Sequence, residues 1–193
     1  MDLLEAYRRS LAEFVDRVEQ VTPGQWSEPT PCPHWDVRAL VNHVVTEDRW
    51  TAPLLAGRTV EEVGHRFDGD QLGDDPIRTA RQVASQAEVA ASHPGALDVT
   101  VNLSAGETPA GDYLHQLLAE HLVHAWDLAV AIGADPRLDA DAVAACAAWF
   151  ADRISDYQLG LLIRPAVEVP ADADAQDRLI AAFGRHPDWT PPA

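Results

Sequence analysis

Ala110-Gly111-Asp112-Tyr113-Leu114-His115-Gln116-Leu117-Leu118-Ala119-Glu120-His121-Leu122-Val123-His124-Ala125-Trp126-Asp127-Leu128-Ala129-Val130-Ala131-Ile132 is the stretch that decides the fold. It opens after Thr108-Pro109, a helix-start signature, and Gly133 stands where a left-handed residue would close it. At about 100° per residue, Tyr113, Glu120, His124 and Asp127 fall within about 60° of one another. Leu114, Leu117, Leu118, Leu122 and Leu128 supply the apolar surroundings. A polar stripe on so apolar a helix needs a reason. Glu120 and His124 are four residues apart, so both can point at one ion held inside a helical bundle.

Working outward, Leu3, Leu4, Tyr7, Leu11, Phe14, Val15, Val18 and Val21 repeat with helical period, and Thr22-Pro23-Gly24 ends this first helix. Asp36 can cap a second helix through Leu40, Val41, Val44 and Val45, which Pro53 ends or kinks. From Gly57 to Asp75 the chain is polar and reads as a surface connection with little regular structure. Asp75-Pro76 opens a third helix that stops at His93-Pro94-Gly95. Leu97, Val99, Val101 and Leu103 alternate with other residues, which predicts a short strand, and Leu162 to Val169 can pair with it. Ser104-Ala105-Gly106 reads as a turn. Asp139 opens another helix running to about Leu159, and Asp174 to Phe183 is a last short one. The expectation is a mainly all-α chain: one domain over 1–193, with a four-helix bundle over 1–160 and an appendage of extra C-terminal helices over 161–193.

The 193 residues suffice to bury a core without a structural metal, so any ion is expected to be functional. A net charge of −17, with all 14 basic residues Arg, repels phosphate backbones and anionic lipid. No nucleic acid and no membrane is therefore expected as a partner. The absence of Lys removes Schiff-base and P-loop chemistry. Met1-Asp2-Leu3-Leu4-Glu5 has neither the basic nor the apolar part of a secretory leader, so a cytoplasmic location is expected. Cys32 and Cys146 lack CxxC spacing and are expected to be free thiols.

One helix supplies too few ligands for a tight site, and His43, in mid-helix among Val41, Val44 and Val45, is the best second source. Taken alone, the residues leave two readings open. His43 reads either as a hydrogen-bonded core residue or as a ligand, and Glu120 with His124 either as a solvated pair or as two more ligands. Glu47, four residues beyond His43, reads either as a solvated helix carboxylate or as an extra or substitute ligand. His121 is turned about 100° from Glu120 and cannot share its ion. His34, His65, His93 and His186 lie in turn-like sequence and are expected at the surface. HExxH, HxxEH, GxSxG and GxGxxG are all missing, which removes the metalloprotease, hydrolase-elbow and dinucleotide signatures.

Pro31-Cys32-Pro33-His34-Trp35-Asp36-Val37-Arg38-Ala39-Leu40-Val41-Asn42-His43, followed downstream by Leu122-Val123-His124-Ala125-Trp126-Asp127-Leu128-Ala129 and Ile132-Gly133, resembles the actinobacterial branch of the DinB-like superfamily. That branch includes the N-terminal domain of mycothiol-dependent maleylpyruvate isomerase, and the similarity continues to the tail Gly184-Arg185-His186-Pro187-Asp188-Trp189. The resemblance implies an up-down-down-up four-helix bundle with a divalent metal held by His43, Glu120 and His124. Many relatives use three histidines, so a carboxylate at Glu120 departs from that pattern and agrees with the isomerase-like branch. Two imidazoles and a carboxylate suit zinc, and also suit Ni2+ or Fe2+.

By the same resemblance, mycothiol is implied as cosubstrate, held as a thiolate nucleophile. The partners are then a small-molecule thiol and an electrophile; apart from the resemblance, Trp and Leu in the loops could serve a homodimer, a choice the sequence leaves open. The implied activity is that of a thiol-dependent transferase or isomerase. The isomerase carries a further C-terminal domain, and 33 residues follow Gly160 here, so thiol transfer or an unassigned activity is the expectation. The competing readings are a non-catalytic metal-binding or stress-related protein and a metal-dependent hydrolase. Asp127, one turn beyond His124, is a candidate to hold that imidazole in place.

Overall fold

A computed structural model describes residues 1–104, 106–159 and 163–192 of the chain. Its long helices are α1 (Leu3–Val18), α2 (Val37–Leu55), α4 (Pro76–Ala91) and α5 (Ala110–Ile132), with a single turn, α3 (Val60–Val63), between the second and the next. A hairpin of β1 (Thr100–Leu103) and β2 (Gly106–Pro109) precedes α5, and α6 (Ala140–Phe150), α7 (Ile154–Leu159) and α8 (Ala175–Ala182) follow it. This is the mainly α, DinB-like fold with extra helices and a short hairpin.

The helices start where the sequence offers a carboxylate to the first orphan amides. Asp2, Asp36, Asp75 and Asp174 accept from the backbone N–H groups of Glu5, Ala39, Arg78 and Asp177, and Asp139 accepts from both Asp141 and Ala142. Each such cap stabilises its helix by about 1 kcal/mol. α5 differs, because Pro109 stands at its cap position without a side-chain bond and Thr108 Oγ1 turns back to the Gly106 carbonyl. The hairpin itself delivers the chain into α5. At the other end Gly133, with φ 72°, takes the left-handed conformation that closes the helix.

α1 packs against α5 and α4, and α2 packs against the same two, so α1 and α2 lie on opposite corners of the bundle. α5 is the most enclosed member: sixteen of its 23 residues are buried, and α6 covers a further side of it. Its polar residues therefore face protein on nearly every side. Phe14, Leu40, Val44, Leu118, Leu122 and Trp126 lie in one buried cluster, and Tyr7, Leu11, Leu54, Leu114 and Leu117 in another. Each fully buried Leu of these clusters contributes roughly 1.5–3 kcal/mol relative to exposure.

Four expectations need correction. β1 pairs antiparallel with β2, Thr100 opposite Pro109 and Leu103 opposite Gly106, and not with 163–169. Residues 163–169 form no strand; Val167 N–H instead donates to the carbonyl of Ala181 at 2.9 Å, tying this run to α8. The helix expected to run from Asp139 to Leu159 is broken after Phe150, with Arg153 N–H turning back to the Phe150 carbonyl. The supposedly irregular 57–75 connection carries α3, with a Thr59–Glu62 capping box, and a 3-10 turn over Gly64–Phe67. Pro53 does not end α2, which continues to Leu55. Ala105, in the expected turn, and residues 160–162, on the expected boundary between bundle and appendage, lie outside the described residues.

Candidate functional site

His43 on α2 and Glu120 and His124 on α5 come together where these helices pack. Glu120 Oε2 stands 3.1 Å from His43 Nε2 and 3.0 Å from His124 Nε2. One donor atom from each of the three lies within 4.8 Å of the other two. The two imidazole rings meet edge to face, 5.3 Å apart at 78°. Trp35, placed by the turn that leads into the Asp36 cap, stacks obliquely beside both, 4.7 Å from His43 and 5.9 Å from His124.

Proton bookkeeping shows what this arrangement suits. His124 Nδ1 faces Asp127 Oδ2 at 3.0 Å, while its Nε2 faces Glu120. Ionised carboxylates only accept, so an imidazole between two of them carries protons on both nitrogens, or else a cation in place of the Nε2 proton. Burial pushes the Glu120 carboxyl up, but the bonds from His124 and His43 outweigh it and hold it well below the usual carboxylate range. Burial pulls His124 down, yet Asp127, Cys32 and Glu120 together hold it well above an ordinary imidazole. Two imidazole nitrogens and a carboxylate oxygen, with Nδ1 of one ring already committed to a carboxylate, form a donor set that fits a divalent ion.

Behind His124 lies a second layer that sequence reasoning only partly reached. Asp127 is fully buried, and burial pushes its carboxyl up, but Arg185 and His124 hold it below its usual range. Arg185 donates Nη2 to Asp127 Oδ2 at 2.9 Å and Nε to Oδ1 at 3.2 Å. Its Nη2 also reaches Cys32 Sγ at 3.0 Å, and that sulfur stands 3.3 Å from Asp127 Oδ2. Cys32, His124 and Asp127 thus form another cluster of potential ligands. A cation there would face the guanidinium of Arg185, which disfavours it against the first trio.

Gly184 explains how Arg185 gets there. It has φ 79°, and a Cβ on it would meet Arg164 Cβ at 2.5 Å and the Pro165 carbonyl at 2.9 Å. Only glycine lets the tail pass so close under residues 164–165. The signal was Gly184-Arg185 in the tail motif, but 58 residues separate Arg185 from Asp127, and spacing alone does not pair them.

The remaining candidates divide cleanly. Glu47 is outside both ligand clusters among the described residues, and burial raises its carboxyl. His121 points the other way, its Nε2 2.9 Å from Asp48 Oδ1 and its Nδ1 3.3 Å from Ser10 Oγ, all of them buried. His34, His65, His93 and His186 are exposed, and Cys146 is fully buried.

Over the trio opens a cavity of about 500 Å³, whose wall includes Cys32, Trp35, Ile163, Arg164, Phe183 and Arg185. Such a volume accommodates a small molecule.

A family profile described as the mycothiol maleylpyruvate isomerase N-terminal domain matches residues 7–129, which span His43, Glu120 and His124. The chain belongs to this family. Two uncharacterized proteins of Mycobacterium tuberculosis, MT0763 and Rv0738, are each 32% identical to it over 195 residues, covering 96% of this chain and 98% of theirs. Among solved structures, the crystal structure of the mycothiol-dependent maleylpyruvate isomerase superposes with a TM-score of 0.52 at 18% identity. That match covers 66% of this chain and 61% of the isomerase, less than two-thirds of its length. At that identity the likeness shows the shared fold. No helix among the described residues is long and apolar enough to cross a membrane.

Proposed function

We propose that this member of the family is a metal-dependent enzyme that works with a low-molecular-weight thiol, mycothiol, as cosubstrate, in S-transfer or thiol-assisted isomerisation. His43, Glu120 and His124 would hold one divalent ion, zinc. The observation that carries the reading is the convergence of two imidazole Nε2 atoms on Glu120 Oε2, 3.1 and 3.0 Å away, under an open cavity. Three protein ligands and an open side are the catalytic arrangement of zinc, whereas structural sites are closed by four.

When bound, the ion supplies charge that keeps a thiol sulfur ionised at neutral pH. The chain's own residues do the rest. Asp127 fixes the ring of His124 so that Nε2 points into the site, and Arg185 holds Asp127 in place. Trp35 and Phe183 shield the site from water and offer apolar surface to the substrate. Arg164 is exposed on the same wall and, having no carboxylate partner among the described residues, supplies positive charge for an anionic electrophile. In transfer, the sulfur bonds to the electrophilic carbon, the leaving group departs with its electron pair, and the thiol proton goes to solvent.

The test uses cobalt-loaded protein. Mycothiol should produce a thiolate-to-metal absorption band with release of a proton, and conjugation to a panel of electrophiles should depend on the metal. An unchanged spectrum with mycothiol, glutathione and cysteine alike would sink the thiol reading and favour a non-catalytic metal-binding role.

A further inference from the structure

In a chain of net charge −17, positive charge is scarce, and half of the 14 arginines are spoken for. Arg8, Arg9, Arg17, Arg38, Arg81, Arg137 and Arg185 all lie against carboxylates. Arg49, Arg58 and Arg66 have no such partner among the described residues, and all three line one cavity of about 410 Å³. It lies between α2, the turn after it, the 3-10 turn Gly64–Phe67 and α4, and shares no wall residue with the cavity over Glu120.

Two of the three arginines are held without being neutralised. Arg49 donates Nη2 to the Gln71 carbonyl at 3.2 Å, but its Nε is buried with no hydrogen-bond partner among the described residues. A charged donor withdrawn from water and left without an acceptor is costly unless something supplies one. Arg66 lies over the ring of Phe67, 5.7 Å from its centroid, a contact that fixes the guanidinium while leaving its N–H edge available. Trp50 packs its ring against Phe67 at 5.3 Å. The carboxylate on the cavity wall, Asp48, is engaged by His121 through Oδ1 at 2.9 Å, so three positive charges face one shared negative charge.

We propose that this cavity binds a small, multiply charged oxyanion, a phosphate ester or a short dicarboxylate, through Arg49, Arg58 and Arg66. Guanidinium forks match the paired oxygens of both. The volume suits a small molecule, and the net charge of the whole chain repels extended polyanions such as nucleic acid or an anionic membrane.

The test is calorimetric titration of the full chain with pyrophosphate and, separately, with succinate, while Trp fluorescence is followed. One of the two should saturate near one site per chain and perturb the emission, with Trp50→Phe removing the fluorescence change but not the heat. Saturation by pyrophosphate assigns a phosphate ester and saturation by succinate a dicarboxylate. Arg58 and Arg66 are exposed, so Arg58→Gln with Arg66→Gln should preserve the fold while weakening binding by roughly tenfold or more. His43→Ala and Arg164→Gln, in the other cavity, should leave it unchanged. Failure of both anions to saturate at millimolar concentration would overturn the proposal. So would affinity that survives loss of Arg58 and Arg66, or that falls with the His43 or Arg164 variant.

Discussion

His124 and Asp127 sit one helical turn apart on α5, and the 3.0 Å contact between Nδ1 and Oδ2 settles which nitrogen of the imidazole is free to face His43 and Glu120. The carboxylate that does this is itself buried and held by Arg185. A chain of contacts from the C-terminal tail thus sets the orientation of a residue in the bundle centre.

Asp127→Asn should therefore have two separable effects. Metal affinity should drop by roughly 10–100-fold, as expected when the partner of a ligating imidazole is changed. Stability should fall by about 3–5 kcal/mol, because Arg185 keeps a buried charge without its counter-ion. Adding Arg185→Gln should restore much of the stability and none of the affinity, read by denaturant titration and metal competition on the same samples. Full metal affinity in Asp127→Asn would show that His124 does not depend on it.

The histidines of α5 should behave oppositely when removed. His124→Ala, like His43→Ala and Glu120→Ala, should leave well under half the wild-type metal content by elemental analysis, since two ligands make a weak site. His121→Ala should keep its metal but strand buried Asp48, lowering stability by roughly 3–5 kcal/mol. Loss of metal from His121→Ala in protein that remains helical would contradict the assignment of the two histidines to opposite sides of α5.

Stripping the metal with a chelator should leave the far-ultraviolet helical signal largely intact. The two buried clusters that α1, α2, α4 and α5 share are apolar and are built without it. Stability should fall only by the binding linkage, about 2.7 kcal/mol where free metal is a hundredfold above its dissociation constant, with a matching drop in melting temperature. Collapse of helicity would instead mark a structural ion.

Thiol labelling should distinguish the two cysteines in native protein. Burial pushes the Cys146 thiol up to about 12, so it stays protonated and inaccessible through mildly alkaline pH. Cys32 is on the wall of the cavity over Glu120 and should react first, and a ligand filling that cavity should slow it. Equal labelling rates before unfolding would mean that Cys146 is reached by local opening.

The sequence by itself determined the helices, because their signals are local. Asp36, Asp75, Asp139 and Asp174 each stand a few residues from the amides they cap, and the period of Leu and Val along α1, α2 and α5 marks the buried faces. It also singled out His43, Glu120 and His124, through the cost of burying a polar stripe and through a family resemblance. Only the tertiary structure decided what depends on contacts between distant segments. Residues 163–169 were alternating and apolar enough for a strand, yet their amide found the end of α8 while β1 closed on its immediate neighbour, where the loop is short and costs the least entropy. Helical spacing turns His121 away from Glu120 and His124 toward it, but nothing local says that Asp48 and Ser10, on other helices, are what His121 meets. Arg185 reaches Asp127 because Gly184 admits a close crossing of the tail under residues 164–165. A guanidinium can pair with any carboxylate in reach, and reach across 58 residues is a property of the folded chain.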